Sequence, residues 1–195
     1  MSQAVAVESV YGRLGIHNKK IGMWVFLASE VMFFTGLIGA YIVLRFGYPQ
    51  WPVPSTILNV PLTALNTFIL ICSSVTMVKA FAAVFDGDQS GLKRNLLLTF
   101  LLGSAFLGIQ AHEYMELVHH GLTISSSLFG SCFFTLTGFH GAHVLGGVIC
   151  VLVTLLKALR GGYVQADHIG VEIVGLYWHF VDLVWILLFT IVYLI

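Results

Sequence analysis

The chain has 195 residues, 58% hydrophobic and 9% charged, with nine Lys/Arg balancing nine Asp/Glu. A soluble domain carries about 25% charged residues, so a water-facing surface is excluded and most of the chain belongs in lipid, as its mean hydropathy of +0.93 also implies. With zero net charge and no basic run, a nucleic-acid partner is excluded too.

Residues 1–20 hold no apolar core of the kind a secretory signal needs, so they read as a cytoplasmic segment before a retained first span. A helix crossing a ~30 Å hydrocarbon core needs about 20 apolar residues. Stretch 21–44 meets that need with a single charge, Glu30. Residues 46–59 (FGYPQWPVPSTILN) read as an ordered outer loop with interfacial aromatics. Stretch 60–84 is charged only at Lys79, and 86–91 (DGDQSG) is a short polar turn. The third span, 92–116, ends in Glu113 and Glu116, with His119 and His120 just beyond. From 121 to 156 there is no Asp, Glu, Lys or Arg. As one helix that stretch would be about 54 Å long, more than a single span needs, so 121–127 reads as loop. Residues 161–168 form a further inner loop, and 171–195 is the last span, holding Glu172 and Asp182.

The fold class is therefore an all-α integral membrane protein with five transmembrane helices. The expected limits are about 21–45, 59–84, 92–116, 128–157 and 171–195, within one membrane domain, 21–195. Charge placement gives the orientation. With five spans, eight of the nine Lys/Arg (Arg13, Lys19, Lys20, Lys79, Lys93, Arg94, Lys157 and Arg160) fall on one side and Arg45 on the other. Cations gather on the cytoplasmic side, which puts the N-terminus inside and the C-terminus outside.

Ionisable groups inside a membrane cost about 2.5–3.5 kcal/mol each on insertion scales, so they head the list of candidate sites. Glu30 is read either as a neutral, hydrogen-bonded acid that fixes helix register or as a proton-accessible carboxylate. By distance along its helix it shares a depth with His179 and Asp182. His140 and His143, one turn apart among glycines (GFHGAHVLGG), read as hydrogen-bonded packing residues, and Gly138, Gly141, Ala142, Gly146 and Gly147 suit close helix approach. Glu113 and Glu116, with His119 and His120, are expected at the outer interface. Cys72, Cys132 and Cys150 have no metal or disulfide spacing and read as small buried hydrophobes. A di-iron oxygenase is disfavoured because His112, His119 and His120 lie outside while His140 and His143 lie in mid-membrane. A haem pair of His179 with His140 or His143 is disfavoured by a depth mismatch of roughly 10 Å or more. The residues alone indicate a non-catalytic membrane subunit or a small transporter, without the broken helices transporters use.

Four strings add a family. WVFLASEVMFF (24–34), LNTFILICSS (65–74), QAHEYMELVHHGLTISSSLFGSCFFTLTGFHGAHVLGGVI (110–149) and VEIVGLYWHFVDLVWILLFTIVYL (171–194) run in order along the chain. Together they resemble subunit III of haem-copper cytochrome oxidases, in its short bacterial five-helix form rather than the seven-helix form. The resemblance implies a non-redox subunit of an aerobic respiratory oxidase in the bacterial inner membrane. Such a subunit packs on catalytic subunit I with subunit II, and in some complexes a subunit IV. Haem and copper then reside in partner subunits, and this chain holds no metal but binds phospholipid. It also implies that Glu30 is the family's buried carboxylate, with His140, His143, His179 and Asp182 as candidate hydrogen-bond partners. Lys157 or Arg160 is implied as the contact to a lipid headgroup. A quinol oxidase subunit III and a nitric-oxide-reductase-associated homologue are the alternatives.

Overall fold

The structure, a computed structural model, describes residues 17–163 and 168–195. Residues 1–16, with Arg13, and residues 164–167 of the loop 161–168 lie outside the described residues. The chain forms α1 (Asn18–Gly47), a 3-10 turn (Pro54–Thr56), α2 (Val60–Phe85), α3 (Gln89–His119), α4 (Leu128–Leu159) and α5 (Ile169–Leu188). A π-helical segment, Phe189–Leu194, continues α5. All five helices are long and apolar enough to cross a membrane. With the π-helical segment counted in α5, their ends differ from the expected limits by at most three residues, because polar residues at the interface extend the helices past the hydrocarbon limit.

The ends follow from local chemistry. Asn59 Oδ1 accepts from Leu62 N–H at 3.2 Å, Asp88 Oδ1 from Gly91 N–H at 2.9 Å, and Ser127 Oγ from Gly130 N–H at 2.9 Å. Each satisfies an N–H that the first turn leaves open. Helices α2, α3 and α4 each stop at a glycine in the left-handed region: Gly87, Gly121 and Gly161. Beyond each glycine the next N–H returns five residues, as in Asp88 to Ala83, Leu122 to Leu117 and Gly162 to Lys157. This closes carbonyls that would otherwise face the membrane interface unpaired. Loop 120–127 is the connection that the charge-free 121–156 stretch required.

Helices α2, α3, α4 and α5 close into a four-helix bundle, and α1 lies along the α4–α5 edge. α1 presents a stripe of three residues spaced seven apart, Leu27, Phe34 and Tyr41, to that edge, while Met32 on its other side is 77% exposed. The loop between α1 and α2 packs back onto the helices. Trp51 packs edge-on against Tyr41 and Phe129, at 5.4 and 5.6 Å between ring centroids. The cysteines are free but not fully buried: Cys72 and Cys132 are half-buried and Cys150 is exposed on the outside of α4. In a lipid-facing protein an apolar thiol gains little by turning inward, which is why that expectation fails.

The bundle centre is set by Trp178 of α5, which is 1% exposed. Its Nε1–H donates to Ser73 Oγ of α2 at 2.9 Å. A Cβ on Gly103 of α3 would come within 2.5 Å of its ring, and one on Gly147 of α4 within 2.9 Å. Gly103→Ala and Gly147→Ala should each therefore destabilise the bundle by about 1–3 kcal/mol, the range for forcing an extra methyl into a filled core. Thermal denaturation of the detergent-solubilised protein should show both with lowered Tm, whereas Gly108→Ala, where a Cβ meets open space, should leave it unchanged.

Candidate functional site

The residues expected to form one polar cluster separate into three groups. Glu30 of α1 meets His143 of α4, with Oε2 3.0 Å from Nε2. The two side chains are 18% and 19% exposed, so the pair sits at the rim of the α1–α4 contact. Phe33 and Phe34 flank the imidazole, and Tyr177 of α5 donates its hydroxyl to the His143 carbonyl at 2.9 Å.

The proton content of this pair follows from its geometry. His143 Nδ1 lies 2.7 Å from the Phe139 carbonyl oxygen. A carbonyl only accepts, so Nδ1 carries hydrogen. A neutral ring then presents a bare Nε2 to Glu30, and a hydrogen bond requires one more proton between them. Either the carboxyl is protonated and donates to Nε2, or the ring is an imidazolium donating to a carboxylate. The pair binds one proton in both arrangements, and moving it between Oε2 and Nε2 interconverts them.

His140, His179 and Asp182 are not part of this contact, which corrects the single-cluster expectation. His140 is fully buried at the bundle centre. Its ring stacks on Trp185 at 4.9 Å, with Phe106 and Phe34 edge-on around it. Neither of its ring nitrogens has a hydrogen-bond partner among the described residues, so it is not the hydrogen-bonded packing residue that was expected. His179 turns to α2, its Nδ1 3.4 Å from Ser74 Oγ, and Asp182 is buried on the same side. The helical turn sends these residues to different neighbours: Glu30 to α4 and His179 to α2.

Glu113 is corrected as well. It is not an interfacial side chain but is 3% exposed, receiving hydrogen bonds from Thr63 of α2 at 3.0 Å and Tyr193 of the π-helical segment at 3.3 Å. Glu116, three residues on, is exposed and lines the same cavity. Lys157 and Arg160 are exposed at the end of α4, and Lys157 Nζ lies 4.1 Å above the Tyr163 ring. An apolar groove of about 210 Å³ runs between α1 and α4, with Leu37, Tyr41, Leu44, Leu128 and Leu136 on its walls. Among the described residues no three His, Cys, Asp or Glu side chains converge as a metal ion would require.

The sequence reading passed over the α2 residues that receive these groups. Thr63, Asn66, Thr67, Leu70, Ser73, Ser74 and Met77 are all buried and recur every three or four positions. That spacing of small polar residues is the signal that could have found them.

If the groups are separate, a double-mutant cycle will show it. Glu30→Leu with His143→Leu should give a coupling of about 0.5–2 kcal/mol in unfolding free energy. Glu30→Leu with Asp182→Leu should be additive within about 0.5 kcal/mol.

Residues 11–195 match the family model for cytochrome c oxidase subunit III. The cytochrome c oxidase subunit 3 of Corynebacterium diphtheriae is 46% identical over 90% of this chain and 87% of its own length. That of Thermostichus vulcanus is 38% identical over 100% of this chain and 96% of its own. A probable cytochrome c oxidase subunit 3 of Mycobacterium bovis is 43% identical over 90% of this chain and 87% of its own. Five helices able to span a membrane and these matches together make it a multi-pass membrane protein that belongs to the cytochrome c oxidase subunit III family.

Proposed function

We propose that the chain is the non-redox third subunit of a bacterial haem-copper cytochrome c oxidase. In this reading it packs on the catalytic subunit, binds lipid, and supports proton uptake and sustained turnover. The single observation that carries the proton role is the Glu30–His143 pair. A group that holds one proton between carboxyl and imidazole, at the rim of the bundle, can accept and release protons without disturbing the core. The relatives' names favour cytochrome c over quinol as the complex's electron donor.

Orientation follows from charge. Lys19, Lys20, Lys93, Arg94, Lys157 and Arg160 belong to the membrane face where α1 starts and α4 ends, here called the first face. Arg45 stands at the opposite, second face. By the positive-inside rule the first face is cytoplasmic. Lys157 and Arg160 would then meet phosphates of the inner leaflet, and the groove between α1 and α4 would take part of an acyl chain near the outer one. Haem and copper, which supply the electron transfer and oxygen chemistry, belong in this reading to the partner subunits.

Glu30→Gln tests the proton role cleanly. The amide keeps the shape and still donates to Nε2, so the complex should assemble with normal yield. It carries no exchangeable acid proton, so the assembled oxidase should take up protons more slowly and inactivate after several-fold fewer turnovers. Normal values for both would remove the role.

The redox assignment has its own check. The chain purified alone should show no haem Soret band and no stoichiometric copper. Either signal would move an electron-transfer centre into this subunit.

A further inference from the structure

Glu113 is an ionisable side chain that the role of Glu30 leaves unused, and its surroundings are specific. It is 3% exposed yet lines a cavity of about 510 Å³ at the second face, whose walls include Asn59, Glu116, His120, Ser126 and Ser127. Its Oε2 lies 3.3 Å from Tyr193 Oη and its Oε1 3.0 Å from Thr63 Oγ1. Thr63 Oγ1 is also 3.0 Å from the Asn59 carbonyl oxygen. A hydroxyl has one hydrogen and two acceptor positions, so Thr63 cannot donate to both at once.

That competition gives the carboxyl two complete hydrogen-bonded states. With Glu113 ionised, Thr63 donates to Oε1 and Tyr193 to Oε2, while the Asn59 carbonyl keeps its bond from Thr63 N–H at 3.0 Å. With Oε1 protonated, Glu113 donates to Thr63 Oγ1, and the Thr63 hydroxyl turns to Asn59. No heavy atom has to move. A buried polar group left unpaired costs about 1–3 kcal/mol, and neither state incurs that cost.

We propose that Glu113 is a reversible proton-binding site, in exchange with water at the second face through this cavity, and that Thr63 keeps it hydrogen-bonded in both charge states by turning. The proton comes from cavity water and returns there, past Glu116 and His120 on the wall. The other titratable groups around Glu113 are Tyr114 on its own helix and Tyr193 from the π-helical segment. The 3-10 turn and the segment before α4 contribute neutral Thr56, Ser126 and Ser127. Arg45 of α1 bonds to the carbonyls of Ile191, at 3.4 Å, and Ile195, two residues to either side of Tyr193 in the chain.

Infrared difference spectra of the assembled, purified oxidase between about pH 5 and pH 9 test this. Wild type should show a protonated-carboxyl C=O band that titrates and exchanges in D₂O. Glu113→Gln should lack that band, and Glu116→Gln should retain it. Thr63→Val, which keeps the shape but removes the turning hydroxyl, should move the midpoint by about one pH unit, a tenfold change in proton affinity. Spectra of wild type and Glu113→Gln that superimpose would overturn the site. Should Glu113→Gln not assemble, Thr63→Val decides alone, since a band whose midpoint it does not move overturns the mechanism.

Discussion

In a membrane, apolar surface gains nothing by leaving lipid for a neighbouring helix, so close shape fit has to hold helices together. Here the fit depends on Trp178. One indole from α5 rests on the glycine backbone of α3 and α4 and donates its N–H to a hydroxyl of α2. A single side chain thus reaches every other helix of the four-helix bundle. Trp185, seven residues on, repeats the scheme one layer higher, with its N–H on Thr67 at 2.9 Å and its ring between Phe106 and His140. Glycines on two helices make room for Trp178, and hydroxyls on a third receive the N–H of both tryptophans.

That scheme explains where the polar residues stand. α2 carries a buried stripe of Thr, Asn and Ser that hydrogen-bonds inward, to Trp178, Trp185, His179 and Glu113. Hydroxyls suit this task because one can donate to a carbonyl of its own helix while accepting from a partner on the next. Thr67 accepts from Trp185 while donating to the Thr63 carbonyl at 2.8 Å. Asn66 does the same work toward α3, donating to the Phe106 carbonyl at 3.2 Å. The two tryptophans are joined to α2 by neutral hydrogen bonds, while Glu30 stands at the rim and Glu113 under a cavity.

Much of this was legible in the sequence. Long stretches almost free of charge defined five helices, and the excess length of 121–156 gave the loop. The short list of intramembrane ionisable residues contained both members of the Glu30–His143 pair. What the list lacked was direction around the helix. Counting residues from a span's end gives depth but not azimuth, so Glu30 was grouped with His179 and Asp182, which face α2. Glu113 was misread for a related reason. Its place near a helix end suggested an interface, but it shares a phase with Gly103, Phe106, Gln110 and Leu117, and that face of α3 packs inward. The glycine bed for Trp178 combines residues 103, 147 and 178, and only the fold brings those together.

The attachment of α1 joins these points. It stands outside the four-helix bundle and exposes most of its apolar surface, so lipid competes for it directly. Besides the stripe Leu27, Phe34 and Tyr41, polar contacts hold it at three depths. Lys20 pairs with Glu172 of α5 at the first face, Glu30 with His143 of α4 in the middle, and Arg45 with the Ile191 and Ile195 carbonyls at the second. The outer two have fixed charge relations: a lysine on a carboxylate, and a guanidinium on carbonyls at a helix C-terminus, where the backbone dipole favours a cation. The middle one joins a carboxyl to an imidazole. Tyr177 holds the backbone of that same His143 to α5, so the residue that receives α1 is itself fixed to the bundle behind it.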